Sequence, residues 1–178
     1  WWDYGYFIMQ IAHRIPNANP TQARAREAGQ FFTAQNESSA SILADELGSK
    51  YVMIDSAMAT GKFYAMVEWA GKNTTDFYEV FYVQAEQGGQ WATLFYPAFY
   101  QSTVIRLYNF DGQAVVPATN SSIVISYEER EAGAGQKYKA ITSGQAFSTY
   151  EDAQAYVASQ TSGNYRIVGT SAFASPVP

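Results

Sequence analysis

The stretch Tyr51-Val52-Met53-Ile54-Asp55-Ser56-Ala57-Met58-Ala59-Thr60-Gly61-Lys62-Phe63-Tyr64-Ala65-Met66 decides the fold. Its first four residues are a continuous apolar run, which predicts a short strand covered on both faces. Asp55 ends that run. From Ser56 to about Ala70 the spacing turns helical, with Gly61 in the interior, where glycine costs about 1 kcal/mol relative to alanine and often marks a kink. Met58, Lys62 and Met66 are four residues apart, so on such a helix they share one face, and Asp55 lies one turn earlier beside that row. Two readings of the row stand. The methionines are core filler with Lys62 snorkelling past them to water, or the row is a surface that offers both a methyl-friendly and a charged contact.

Outward from this stretch the chain is of α+β class: a helix-rich core followed by a strand-rich C-terminal part. On the N-terminal side, Thr21 reads as an N-cap for a helix running through Glu27 to Phe31 and Phe32. A second helix starts near Asn36 or Ser38, with Ile42, Leu43 and Leu47 on one stripe and Gly48 as its left-handed cap. On the C-terminal side, Phe77 to Val83 reads as a half-buried strand broken at Gly88-Gly89. A helix follows from Pro97 through Phe99, Thr103 and Ile105 to Tyr108, and Asp111-Gly112 stops it. Ile123 to Tyr127 and Lys137 to Thr142 form a long hairpin around a polar loop. Ser148 and Glu151 make a capping box for a helix with Tyr150, Ala153 and Val157, and Tyr165 to Val168 is a last strand. The expected division is 1–111 as helix-rich core and 112–178 as hairpin, helix and strand, within one domain and without repeats.

Composition removes most functions. The 178 residues are 47% hydrophobic, with 14 Tyr, 11 Phe and 4 Trp, which excludes a disordered chain. Without cysteine there is no disulfide scaffold or thiol nucleophile, and one histidine argues against a multi-His metal site or a Ser-His-Asp arrangement. A net charge of −5 argues against a nucleic-acid partner. No apolar stretch approaches the roughly 18 residues of a membrane span. The first residues are Trp1 and Trp2 rather than Met, so the chain reads as a fragment or processed product.

That opening run, Trp1-Trp2-Asp3-Tyr4-Gly5-Tyr6, places two indoles beside a carboxylate and a phenol, followed by a glycine that permits close backbone approach. Apolar walls around one charged acceptor suit a small hydroxylated group. The residues alone also fit a core strip with Asp3 turned to solvent. The pentad Trp1 to Gly5 resembles the Trp-Trp-Asp-Tyr-Gly signature of the oligosaccharyltransferase catalytic subunits, the AglB and PglB proteins among them. Asp55, Met58, Lys62 and Met66 are similar to that family's second signature in its archaeal form, Asp-x-x-Met-x-x-x-Lys-x-x-x-Met/Ile. The likeness covers most of the first 112 residues, including Arg106-Leu107-Tyr108 and Phe110-Asp111-Gly112.

The resemblance implies a glycosyltransferase that moves a lipid-linked oligosaccharide to Asn in Asn-x-Ser/Thr. This part would be the acceptor-recognition domain, inactive in isolation and without catalytic residues of its own. Implied for the +2 Ser/Thr pocket are Trp1, Trp2, Asp3, Tyr4, Gly5, Asp55, Met58, Lys62 and Met66. Asp3 would accept from the hydroxyl, Trp1 and Trp2 would wall the pocket and offer indole N–H groups, and Met58 or Lys62 would lie near the Thr methyl. A divalent metal, Mn or Mg, would be held by the membrane portion preceding this segment, with no metal in the segment itself. The partners implied are an acceptor polypeptide and the lipid-linked donor. The place implied is the extracytoplasmic face of the cell membrane.

Other features carry less. Glu128-Glu129-Arg130-Glu131 reads as a solvated hairpin loop, His13 as a surface or capping residue, and Gly133 and Gly135 lack the ending of a phosphate loop. Three sequons, Asn36-Glu37-Ser38, Asn73-Thr74-Thr75 and Asn120-Ser121-Ser122, fit an extracytoplasmic face. A rival reading is a carbohydrate-binding or adhesion module, supported by the 16% aromatic content.

Overall fold

In the computed structural model, which describes residues 1–85 and 88–177, the chain opens with a 3-10 turn at Trp2–Tyr4. That turn runs directly into α1 (Gly5–Ala12), which ends where His13 adopts a left-handed conformation. Next come α2 (Ala25–Phe32), α3 (Glu37–Glu46), α4 (Ser56–Ala59) and α5 (Phe63–Trp69). The strands β1 (Tyr78–Ala85) and β2 (Gly88–Phe95) precede α6 (Pro97–Gln101) and α7 (Thr103–Phe110). The remainder is β3 (Val115–Pro117), β4 (Ser122–Glu131), β5 (Lys137–Phe147), α8 (Tyr150–Ser159), β6 (Asn164–Gly169) and β7 (Ala174–Pro176). Helices and a mixed sheet make the expected α+β class.

The chain forms two units that interleave in sequence. Trp1–Asp76 combines with Gln101–Ala114, and Phe77–Tyr100 combines with the chain from Val115 on. The first unit is helical, with a core of Phe31, Phe32, Met58, Phe63, Met66, Val67, Val104 and Ile105. Gly29 of α2 sits against the backbone of α5: a Cβ there would come 2.7 Å from the Met66 carbonyl oxygen. No larger residue fits without parting the two helices. The start of α7 is fixed by Thr103, whose N–H and hydroxyl both donate to the Ala34 carbonyl, at 2.8 and 3.0 Å. The end of the same helix is closed by buried Arg106, which donates to the carbonyls of Gln113 and Gly112.

The second unit is built on a five-stranded sheet of order β2-β1-β5-β4-β6, antiparallel except for the β1–β5 pair, with β3 and β7 as a separate two-stranded ribbon. Its core is Phe81, Tyr96, Ile125, Tyr127 and Val168, and α8 contributes Ala153, which is wholly buried.

The structure corrects six local expectations. Tyr51 to Ile54 is not a strand; Tyr51 is 85% exposed and Met53 63%. The helix expected from Ser56 to Ala70 is two helices, interrupted at Thr60–Lys62, so Gly61 marks a break rather than a kink. The helix expected from Thr21 starts at Ala25, because the Thr21 N–H and hydroxyl both turn back to Asn19 Oδ1. Glu128 to Glu131 belongs to β4, paired with Lys137 to Ala140, and not to the loop. The cap of α8 is Thr149, which accepts from Asp152 N, one residue later than the Ser148–Glu151 box. The helix expected from Pro97 to Tyr108 is also two helices, parted by extended Ser102. By contrast, Asn36 caps α3 as its sequence suggests, and Gly48 adopts φ +64 behind it.

Candidate functional site

The two stretches singled out in the sequence meet in the first unit. Trp1 is buried, and its nitrogen donates to Met58 Sδ at 3.6 Å. Met58 and Met66 are 1% and 0% exposed, so both are buried rather than open surface. The Trp1 and Trp2 rings lie 6.1 Å apart, tilted by 50°. Trp69, on the last turn of α5, sets its ring edge-on to Trp2 at 6.5 Å. Sequence reading did not find Trp69, although it continues the Lys62, Met66 row at helical spacing.

Polar groups link the stretches more tightly. Asp55 caps α4, its Oδ1 accepting from Met58 N at 2.9 Å. The Tyr4 hydroxyl donates to Asp55 Oδ2 at 2.6 Å and accepts from Lys62 Nζ at 2.8 Å. Lys62 Nζ also donates to Asp3 Oδ2 at 2.5 Å and stands 4.0 Å from the centre of the Tyr4 ring. The chain of contacts therefore runs Asp55, Tyr4, Lys62, Asp3. The helix break makes this possible: Lys62 is the N-cap residue of α5, at the joint between two helices.

Ionisation follows from these contacts. The Tyr4 hydrogen bond is the main force holding Asp55 below the usual carboxylate range, against desolvation, which acts the other way. Burial alone would lower Lys62; its hydrogen bonds to Asp3 and Tyr4 and the Asp3 charge outweigh that, and the amine is raised. Both shifts favour the charged forms, Asp55 as carboxylate and Lys62 as ammonium.

Two polar atoms stand outside this network. Trp2 Nε1 and Asp3 Oδ1 are buried and find no hydrogen-bond partner among the described residues. A buried donor and a buried acceptor on successive residues are costly unless something satisfies them, about 1–3 kcal/mol each. One small group that both donates and accepts, such as a hydroxyl, has the chemistry to pair with both.

Gly5 is buried and serves the backbone: a Cβ would come 2.7 Å from Asn19 Cα. Elsewhere, His13 ends α1, Asn36 is occupied as a helix cap, and Ser121 and Ser122 of the third sequon are buried. Among the described residues no cluster of three or more His, Asp or Glu could hold a metal, and no helix is long and apolar enough to cross a membrane. A cavity of about 190 Å³ in the first unit is lined by residues including Phe31, Ala40, Thr103 and Arg106, and by none of Trp1 to Gly5, Asp55, Met58, Lys62, Met66 and Trp69.

A family model described as the AglB core domain matches residues 1–59. The dolichyl-monophosphooligosaccharide–protein glycotransferase AglB of Haloferax volcanii is 33% identical over 192 residues, covering 96% of this chain and 18% of that protein. Dolichyl-phosphooligosaccharide-protein glycotransferase 3 of Archaeoglobus fulgidus is 51% identical over 77 residues, 39% of this chain and 9% of its own length. The chain thus spans less than a fifth of these relatives. A crystal structure of an Archaeoglobus fulgidus oligosaccharyltransferase tethered with an acceptor peptide containing the NVT sequon superposes with TM-score 0.56 at 27% identity, over 92% of this chain and 20% of that one. Another from that organism, in complex with Zn and sulfate, shares the fold at TM-score 0.52, 18% identity, 99% of this chain and 36% of its own.

Proposed function

We propose, from the premise that this chain belongs to the AglB family of archaeal oligosaccharyltransferases, that it is the part of such an enzyme that reads the +2 Ser or Thr of an Asn-x-Ser/Thr acceptor. The observation that carries this reading is the pair of buried, unpartnered atoms Trp2 Nε1 and Asp3 Oδ1. The acceptor hydroxyl donates to Asp3 Oδ1 and accepts from the Trp2 indole. Trp1, Trp2 and Trp69 supply the apolar walls, with buried Met58 against Trp1.

The chemistry favours discrimination over catalysis. A residue without the hydroxyl leaves both atoms unsatisfied, which a site of this kind rejects strongly. Transfer itself, from a lipid-linked oligosaccharide to the Asn amide, is assigned to the remainder of the enzyme, anchored in the membrane with this unit on the extracytoplasmic face. The divalent metal expected there, Mn or Mg, does not fit the residues of this chain, since no ligand cluster is found among those described. No step here passes through it.

Transfer assays on the intact enzyme test the reading, using Asn-x-Thr, Asn-x-Ser and Asn-x-Val peptides. Asp3→Asn and Trp2→Phe keep the shape of the site and remove one hydrogen-bonding function each. Both are expected to depress transfer to Thr and Ser peptides. A folded Asp3→Asn enzyme with unchanged rates would sink the proposal.

A second reading, sugar binding, is favoured by one observation in the other unit. Tyr82, Trp91 and Tyr138 form an edge-on cluster with centres 5.4 to 5.7 Å apart, and Trp91 is 60% exposed. Titration with an oligosaccharide, following Trp91 fluorescence against a Trp91→Ala control, decides it.

A further inference from the structure

Tyr4 has no free hydrogen-bonding capacity to spend on an acceptor in the usual sense: its hydroxyl proton goes to Asp55 Oδ2 at 2.6 Å, and its oxygen receives Lys62 Nζ at 2.8 Å. Its ring backs the same ammonium at 4.0 Å. The far end of this chain is anchored, because Asp55 is held by the first turn of α4 through Met58 N. The near end is Lys62 on Asp3 Oδ2. Asp3 therefore has its two oxygens in different states, Oδ2 neutralised by Lys62 and Oδ1 buried without a partner among the described residues.

We propose that Tyr4 is a positioning residue: it fixes Lys62 on Oδ2 of Asp3 and thereby keeps Oδ1 open for the acceptor hydroxyl. The inference deepens the +2 reading and rests on it. An ammonium carries three donors on a flexible stem, so geometry alone does not confine Lys62 to one carboxylate oxygen. What confines it is the second acceptor. With the Tyr4 oxygen in place, Lys62 satisfies two donors at once only from the Oδ2 side; without that oxygen it is free to bridge both carboxylate oxygens and compete with substrate. Asp55 acts through Tyr4 in the same relay, since it orients the phenol by taking its proton.

The experiment is a double-mutant cycle in the intact enzyme, with Tyr4→Phe, Lys62→Met and the pair, reading KM and kcat for an Asn-x-Thr peptide. Tyr4→Phe is expected to raise KM on the order of tenfold, as for loss of one hydrogen-bonded arrangement, with kcat within about twofold. Lys62→Met in the Tyr4→Phe background should then cost nothing further, or restore part of the KM, because the competing ammonium is gone. Additive losses in the pair, or a Tyr4→Phe enzyme with wild-type KM, would overturn the role given to Tyr4. Asp3→Asn run alongside separates the two levels. If it too is wild-type, the +2 reading has failed; if it is impaired while Tyr4→Phe is not, only the positioning role has.

Discussion

Each unit of the molecule contains a tyrosine donating to a carboxylate and a lysine bound to a carboxylate, and the two arrangements differ in one respect. In the sheet unit, the Tyr96 hydroxyl donates to Glu79 Oε2 at 2.6 Å while Lys139 takes Oε1, so both oxygens of one carboxylate are used. In the helical unit the two donors go to different carboxylates, the Tyr4 phenol to Asp55 and Lys62 to Asp3, and one oxygen of Asp3 has no partner among the described residues. Exposure follows the same line: the Glu79 side chain is 10% exposed and that of Asp3 36%. A saturated cluster is a fastening. An unsaturated one is what the proposed reading of a ligand hydroxyl calls for.

Breaking each carboxylate should therefore give opposite phenotypes. Asp3→Ala in the intact enzyme is expected to lower transfer to an Asn-x-Thr peptide by about 100-fold while leaving the thermal midpoint near wild type. Glu79→Ala should do the reverse. It strands Lys139 and the Tyr96 hydroxyl, and is expected to cost about 3 kcal/mol in denaturant unfolding with the ratio of Thr to Val transfer unchanged. Loss of that ratio in Glu79→Ala, or of stability in Asp3→Ala, would erase the distinction.

Acidity and alkalinity sharpen the contrast further. Asp55 is held below its ordinary range chiefly by Tyr4, so its contribution is present above the unfolded carboxylate value of about 4 and is lost as pH falls through the folded one. The stability difference between wild type and Tyr4→Phe should accordingly be full near neutrality and close in acid. Tyr96 is displaced the other way, raised by burial and by its bond to Glu79. Its contribution is present below about pH 10 and is lost as pH rises beyond, so Tyr96→Phe should flatten the alkaline limb of the unfolding curve. The smallest effect concerns the acceptor methyl. Burial of one methyl group is worth about 0.8 kcal/mol, so Thr peptides should exceed Ser peptides roughly fourfold in kcat/KM, and Trp69→Ala should narrow that margin.

How much of this could be read in advance depends on where the partners lie. The cap at Asn36 was legible because the group that donates to its side-chain oxygen, Ser39 N–H, is three residues away. The α+β class was legible because strand and helix periods are local properties. The two signatures name the residues of the candidate site, and the structure brings Asp3, Tyr4, Asp55 and Lys62 into contact. The geometry was not legible, since the contacts that build it join residues 51 to 59 apart. Tyr51 to Ile54 failed for a related reason: an apolar run says that covering is favourable, not that a covering layer exists, and Tyr51 and Met53 lie open. The strand β2 was missed because Gly88-Gly89 was read as an ending, whereas these residues begin β2 opposite Gln84 and Ala85. The division of labour between the oxygens of Asp3 had no signal in sequence at all.

Gly29 extends the site beyond its own signatures. The close approach of α2 to the Met66 carbonyl holds the helix that ends in Trp69 against Trp2, and it fails for any side chain larger than hydrogen. Anyone grafting the aromatic pentad and the Asp55 to Met66 segment onto another scaffold would transplant every recognisable letter and still lose the placement of Trp69 against Trp2. The portable unit must carry α2 with α5, and its least conspicuous part is a residue with nothing to offer but room.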